Sequence, residues 1–114
     1  RCVCGFLLDL NYVFVSATNL NFSPHQYIDA YPLDQVKEIH LGGHDEDRDD
    51  HGHPLLIDSH GREVVDRVWA LLDYTLERAG PKPLLVEWDT DVPDWSVLQA
   101  EAHRAATALE RLPA

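Results

Sequence analysis

Phe6-Leu7-Leu8-Asp9, Ile39-His40-Leu41-Gly42-Gly43-His44 and Leu84-Leu85-Val86-Glu87-Trp88-Asp89 are three short segments in which an apolar run ends in metal-ligating side chains. Apolar runs of this length predict parallel strands buried on both faces. In α/β barrels and doubly wound sheets the carboxyl ends of such strands form the active rim, so Asp9, His40 and Glu87 are expected to converge there. Leu55-Leu56-Ile57-Asp58-Ser59-His60 repeats the pattern a fourth time. Carboxylates and imidazoles gathered in one place suit iron, manganese or zinc better than a thiolate site would.

Outward from these segments, Val3 to Val15 reads as one buried strand running into a loop, broken between Asn19 and Pro24. Ser23-Pro24 gives an N-cap followed by proline at the first helical position, which predicts a short helix through Ala30, ended with the help of Pro32. Val36 to Leu41 is the second strand. Gly42-Gly43 then lets the backbone turn with little bulk near His40 and His44. Asp45 to Pro54 is expected to be a loop. From Val64 onward, Val65, Val68, Trp69, Leu72 and Leu76 form the inner stripe of a helix that ends at Gly80. Leu84 to Trp88 is the third strand, and Asp94 or Ser96 caps a last helix carrying Val97, Leu98, Ala102, Ala105, Ala106 and Leu109. The order β, α, β, long loop, α, β, α argues for parallel βαβ units.

The 114 residues allow one domain at most. Three parallel strands with two unpaired edges close poorly on their own. An eight-stranded barrel takes about 250 residues. The chain also begins at Arg1 rather than Met, so residues 1–114 are expected to be the carboxyl-terminal fragment of a single TIM-barrel domain, its last three βα units. Twenty acidic against nine basic residues give a formal net charge of −11, which argues against a nucleic-acid partner. The run Asp45 to Asp50 reads as a solvated loop. Cys2 and Cys4 imply no disulfide framework; such a pair can ligate a metal, but the plainer reading is two small apolar residues, which fits a reducing, cytoplasmic setting. No apolar stretch approaches the roughly 20 residues of a membrane span, so no membrane is implied.

Asp9, His40 and Glu87 lie at equivalent strand ends, where a histidine with two carboxylates is a common ligand set for non-haem iron or manganese. The plainer alternative is that such residues cap helices or pair with one another. Asp58 and His60 stand two residues apart, so on an extended segment both face one way and can share an ion. His44 reads as a ligand, a donor behind the ligands or a substrate contact. His51 and His53 read as hydrated, and His25 and His103 as surface residues. Trp69 and Trp88 are expected in core and wall, with Trp95 covering the last helix.

The strings Cys4 to Asn11, Ile39 to His44, Leu55 to His60 and Val86 to Asp89, in this order and spacing, resemble the multinuclear non-haem iron oxidases. The resemblance implies a TIM barrel holding two or three iron ions, which oxidises cysteine or other residues of a ribosomally made precursor peptide with dioxygen, often with a partner protein that delivers the peptide. It matches Asp9, His40 and Glu87 to ligands of one iron and Asp58 and His60 to ligands of a neighbouring iron. Two departures stand out. Where the family has a second, iron-binding asparagine directly after Asn11, this chain has Tyr12, so that Tyr12 as a phenolate, or Asn11, would have to substitute. Two histidines and a glutamate from earlier strands have no counterpart here, which leaves enzymatic activity of this chain alone in question. Competing expectations are a sugar isomerase or phosphodiesterase of related barrel shape using manganese or zinc, and an inactive remnant that hides its open edges as a homo-oligomer.

Overall fold

The computed structural model describes residues 6–111. In chain order these form β1 (Phe6–Asp9), α1 (Leu10–Leu20), α2 (Pro24–Ala30), a 3-10 turn (Leu33–Gln35), β2 (Val36–Gly42), β3 (Asp45–Arg48), β4 (Pro54–Ile57), α3 (Asp66–Ala79), β5 (Leu84–Glu87) and α4 (Trp95–Glu110). The protein is therefore mixed α/β. β1, β2 and β5 make one parallel sheet with β2 in the middle, and β3 and β4 make a separate antiparallel pair.

Strand alternation gives the parallel sheet two unlike faces. Leu8, Ile39 and Leu41 point to one side, each at most 2 % exposed, against Leu10 and Val13 of α1, Val68, Leu72 and Leu76 of α3 and Ala105 and Ala108 of α4. Each such large apolar side chain contributes on the order of 1.5–3 kcal/mol by leaving water. The opposite face carries Leu7 and Leu85, 49 % and 44 % exposed, together with Asp9, His40 and Glu87. In register, Asp9 lies beside His40, and Glu87 beside Gly42, two residues further along β2.

α2 starts and stops where its signals place it, and α3 ends at Gly80 as expected but starts at Asp66, two residues after Val64. Ser23 Oγ accepts the Gln26 N–H, and Gly80, at φ 80°, sits in the conformation that ends α3. The strand expected over Val3 to Val15 instead stops at Asp9, whose carboxylate accepts the Tyr12 N–H and opens α1. Asn11, Val13, Val15 and Ala17 are all buried, an every-second-residue pattern that imitates a strand. It arises because α1 packs against β2, β4, α2 and α3 and so is covered on more than one side. The Val3 to Gly5 part of that expectation, and the reading of Cys2 and Cys4, lie outside the described residues.

The expected loop from Asp45 to Pro54 is largely a hairpin, with Asp45 opposite Ile57 and Arg48 opposite Pro54. Its turn is held by Asp49, whose Oδ1 accepts the N–H groups of His51 and His53 at 2.9 Å each, and by Gly52 at φ 79°. The acidic side chains stay in water, as expected of the run, while their backbone is paired. Leu55 to His60 thus does not supply a fourth parallel strand. In α4 the buried residues are Glu101, Ala105 and Ala108; of the expected face Ala105 is buried and Leu98 and Leu109 are half-buried, whereas Val97, Ala102 and Ala106 are exposed. Glu101 lies on the buried side, where its Oε1 accepts the Val64 N–H at 2.7 Å. Trp69 is core, its Nε1 donating to Val64 O, but Trp95 is 73 % exposed and covers nothing. No helix among the described residues is long and apolar enough to cross a membrane.

Candidate metal centre

Asp9, His40 and Glu87 arrive on one face of the parallel sheet because each stands at the carboxyl end of its strand with matching parity. The His40 ring is braced on both sides, Nδ1 2.7 Å from Glu87 Oε1 and Nε2 2.9 Å from Glu38 Oε1. Both carboxylates lie on the same face, since Glu38 is two residues before His40 on β2.

Asp58 and His60 reach this face from outside the sheet. After β4 the chain crosses over the end of β2, with His60 N–H donating to Gly43 O at 3.1 Å and His60 O accepting from Asp89 N–H at 2.8 Å. The crossing depends on the glycine pair. A Cβ on Gly43 would lie 2.1 Å from Arg62 O, and one on Gly42 would lie 2.9 Å from the His60 ring. His60 itself takes φ 53°, a left-handed conformation that a non-glycine residue adopts only when its surroundings hold it there.

So placed, the His60 imidazole faces several carboxylates. Nε2 is 2.9 Å from Asp58 Oδ1, and Nδ1 is 3.5 Å from Asp89 Oδ2 and 3.9 Å from Glu87 Oε2. Two triads have donor atoms within 4.8 Å of one another: Asp9, Asp58 and His60, and His60, Glu87 and Asp89. His60 belongs to both. The structure thus brings Asp9 toward Asp58 and His60, while His40 pairs with Glu87.

The electrostatics reflect crowding. Burial raises the Asp9 pKa, and the negative charges of Asp58 and Glu87 add to it against the opposing pull of the Tyr12 N–H and His60. Burial alone would lower that of His60, but Asp58, Asp89, Glu87 and Asp9 outweigh it and hold the imidazole above its ordinary value. Five carboxylates, Asp9, Glu38, Asp58, Glu87 and Asp89, around the two imidazoles of His40 and His60 carry surplus negative charge, and a cation held between them would neutralise it. Among the described residues the donors are nitrogen and oxygen, which match iron, manganese or zinc, so these residues fit such an ion.

The remaining candidates separate. Asn11 is fully buried at the start of α1. Its Nδ2 donates to Gly43 O at 3.0 Å and to Asp58 Oδ1, and its Oδ1 has no partner among the described residues, a loss worth about 1–3 kcal/mol. Tyr12 is 57 % exposed and meets the site through its peptide N–H to Asp9. His44 is buried 5.5 Å from the Phe14 ring, with its pKa lowered mainly by burial and Nδ1 unpartnered among the described residues. His25, His51, His53 and His103 are exposed. Sequence reasoning singled out neither Asp89 nor Glu38 as a site residue. Asp89 had a signal, since it stands two residues past Glu87 in the same string.

Fold and site together define a mixed α/β protein whose parallel strands end in a cation-sized cluster of nitrogen and oxygen donors. The profile described as RiPP precursor modification enzyme MbnB/TglH/ChrH matches residues 1–110, and the chain belongs to that family. This is the family that its four motifs resemble. Among curated relatives, the chain is similar to a UPF0276 protein of Rhizobium meliloti, 51 % identical over 97 % of this chain and 36 % of the relative. It is also similar to UPF0276 proteins of Paraburkholderia phytofirmans, 56 % identical over 87 % and 32 %, and Acaryochloris marina, 51 % identical over 93 % and 37 %. The chain spans about a third of the length of these relatives.

Proposed function

We propose that residues 1–114 are the carboxyl-terminal part of one TIM-barrel domain, its last three βα units, in an iron-dependent oxidase that modifies cysteine or other residues of a ribosomally made precursor peptide with dioxygen. The observation that carries this reading is the two-faced sheet. Helices seal one side, while Asp9, His40, Asp58, His60, Glu87 and Asp89 gather on the other beside half-exposed Leu7 and Leu85. A barrel interior has this make-up, and the free edges of β1 and β5 are where its other strands would pair.

Asp9, His40 and Glu87 would hold one iron, and Asp58 and His60 a neighbouring one, with Asp89 in reach of His60. Iron held by these residues would supply electrons to dioxygen. With an ion bound, Glu38 beside His40 Nε2 would favour the tautomer that donates to it, leaving Nδ1 on the Glu87 side as the nitrogen that could ligate. Leu7 and Leu85 would exclude water once the barrel closes over them. The peptide would be brought by a partner protein.

Anaerobic purification after iron loading, with metal analysis of wild type, Asp9→Ala and Glu87→Ala, tests the site. Bound iron that both variants lose is the expected result, and wild-type protein without metal would overturn it. Oxygen uptake that requires a cysteine-containing precursor peptide tests the reaction. Metal-dependent turnover without oxygen would favour the manganese or zinc isomerase or hydrolase class instead, and self-association through the strand edges with no bound iron would favour an inactive homo-oligomer.

A further inference from the structure

We infer that Asn11 and Asn19 are positioning residues, two side-chain amides of α1 that hold the Asp58 to His60 arm over the carboxyl end of the parallel sheet. The inference rests on the metal-centre reading and specifies how the one arm from outside that sheet is kept in place.

β4 pairs with β3 alone among the described strands, so the parallel ladder that fixes Asp9, His40 and Glu87 does nothing for Asp58. The missing support comes from α1. Asn19 Nδ2 donates to Leu56 O at 2.8 Å and Asn19 Oδ1 accepts the Leu56 N–H at 2.8 Å, the same donor and acceptor pair a neighbouring strand would offer. Two residues on, Asn11 Nδ2 donates to Asp58 Oδ1 and to Gly43 O. The first amide sets the height of the arm, and the second turns its carboxylate.

The chemistry distinguishes this role from direct ligation. Both partners of Asn11 Nδ2 are oxygen acceptors, so turning the amide over would set Oδ1 against two oxygens. Both Nδ2 hydrogens are committed, and swinging Oδ1 toward an ion would strip Asp58 and Gly43 of their donor. A carboxylate held through one oxygen keeps its orientation and leaves the other oxygen for a cation. Loss of such an outer hydrogen bond typically costs about 10- to 100-fold in metal affinity.

Cobalt(II) is the probe, titrated without oxygen into protein expressed from its whole reading frame and followed by visible absorption and by thermal melting. Asn11→Ala and Asn11→Asp should both weaken cobalt binding about tenfold or more and change the spectrum, because each removes the donor to Asp58. Asn19→Ala should weaken it by a smaller factor with the spectrum kept. If Asn11→Asp binds as tightly as wild type or tighter, Asn11 is a ligand and the inference falls. Unchanged affinity in both Asn11 variants overturns it too, even with lowered melting temperatures. Should the Asn11 variants not fold, Asn19→Ala decides, with unchanged affinity counting against and weakened affinity for. Wild-type protein that binds no cobalt overturns the metal reading and this inference together, whereas wild-type binding with indifferent variants overturns this inference alone.

Discussion

The two faces of the parallel sheet come from alternate residues of the same strands, yet Ile39 is sealed while its neighbour His40 stands in a cluster of carboxylates. One face is built from side chains that helices cover at no electrostatic cost. The other gathers charges that repel one another and waits for something to neutralise them. Within the sheet, stability and chemistry are thus segregated by strand parity, residue against residue along single strands.

The sharpest way to break this comparison is to cut each face once. Ile39→Ala should cost roughly 2–5 kcal/mol in urea unfolding of the metal-free protein, the usual range for a large aliphatic residue in a packed core. Glu87→Gln, on the other face, should leave metal-free stability unchanged or higher, since it removes a charge from the cluster and keeps an acceptor for His40. If Glu87→Gln destabilises as much as Ile39→Ala, the segregation is wrong. Next in size, Gly43→Ala forces a Cβ to within 2.1 Å of Arg62 O, and the shift it demands should cost about 1–3 kcal/mol. Because His60 hangs from Gly43 O, metal binding should weaken as well, measurable by the same titration.

Glu101 sharpens the comparison from the sealed side, where a carboxylate is buried without a cluster around it. Glu101→Ala leaves the Val64 N–H without its acceptor and should cost about 1–3 kcal/mol, with Glu101→Gln restoring it. Burial raises the Glu101 pKa above its ordinary 4.5. The folded protein therefore binds this proton more tightly than the unfolded chain does. The resulting stability is fully present below pH 4.5 and is lost as pH rises through the folded-state value. Glu101→Gln should flatten that part of the stability profile, and an unchanged slope would mean the carboxyl is not desolvated.

Much of this architecture was legible in the sequence for a physical reason. β1, β2 and β5 announce themselves because each sets a short apolar run against polar residues at its carboxyl end, and α2 and the end of α3 because Ser23, Pro24 and Gly80 have local backbone jobs that need no tertiary context. α1 was not legible. Its burial follows the partners around it rather than a single face, so the alternation of Val13, Val15 and Ala17 reads as a strand. The hairpin was hidden for the opposite reason, its outer side chains being so acidic that only the backbone pairing reveals it. For the site, Asp9, His40, Asp58, His60 and Glu87 were each visible as strand-end polar residues. Their grouping was not, because it depends on the crossing of His60 over Gly43 and on its left-handed backbone. Glu101 and Asn19 gave no signal, since each acts on a backbone group far away in the chain.

The Asn19 amide has one more consequence. The outward N–H and C=O of Leu56 are the groups through which β4 could recruit a further strand, and both are occupied by a side chain anchored in a helix. An incoming peptide would have to dislodge α1 before it could add to this hairpin. The same contact that steadies the arm therefore also guards the protein against growing by edge-to-edge stacking at that place.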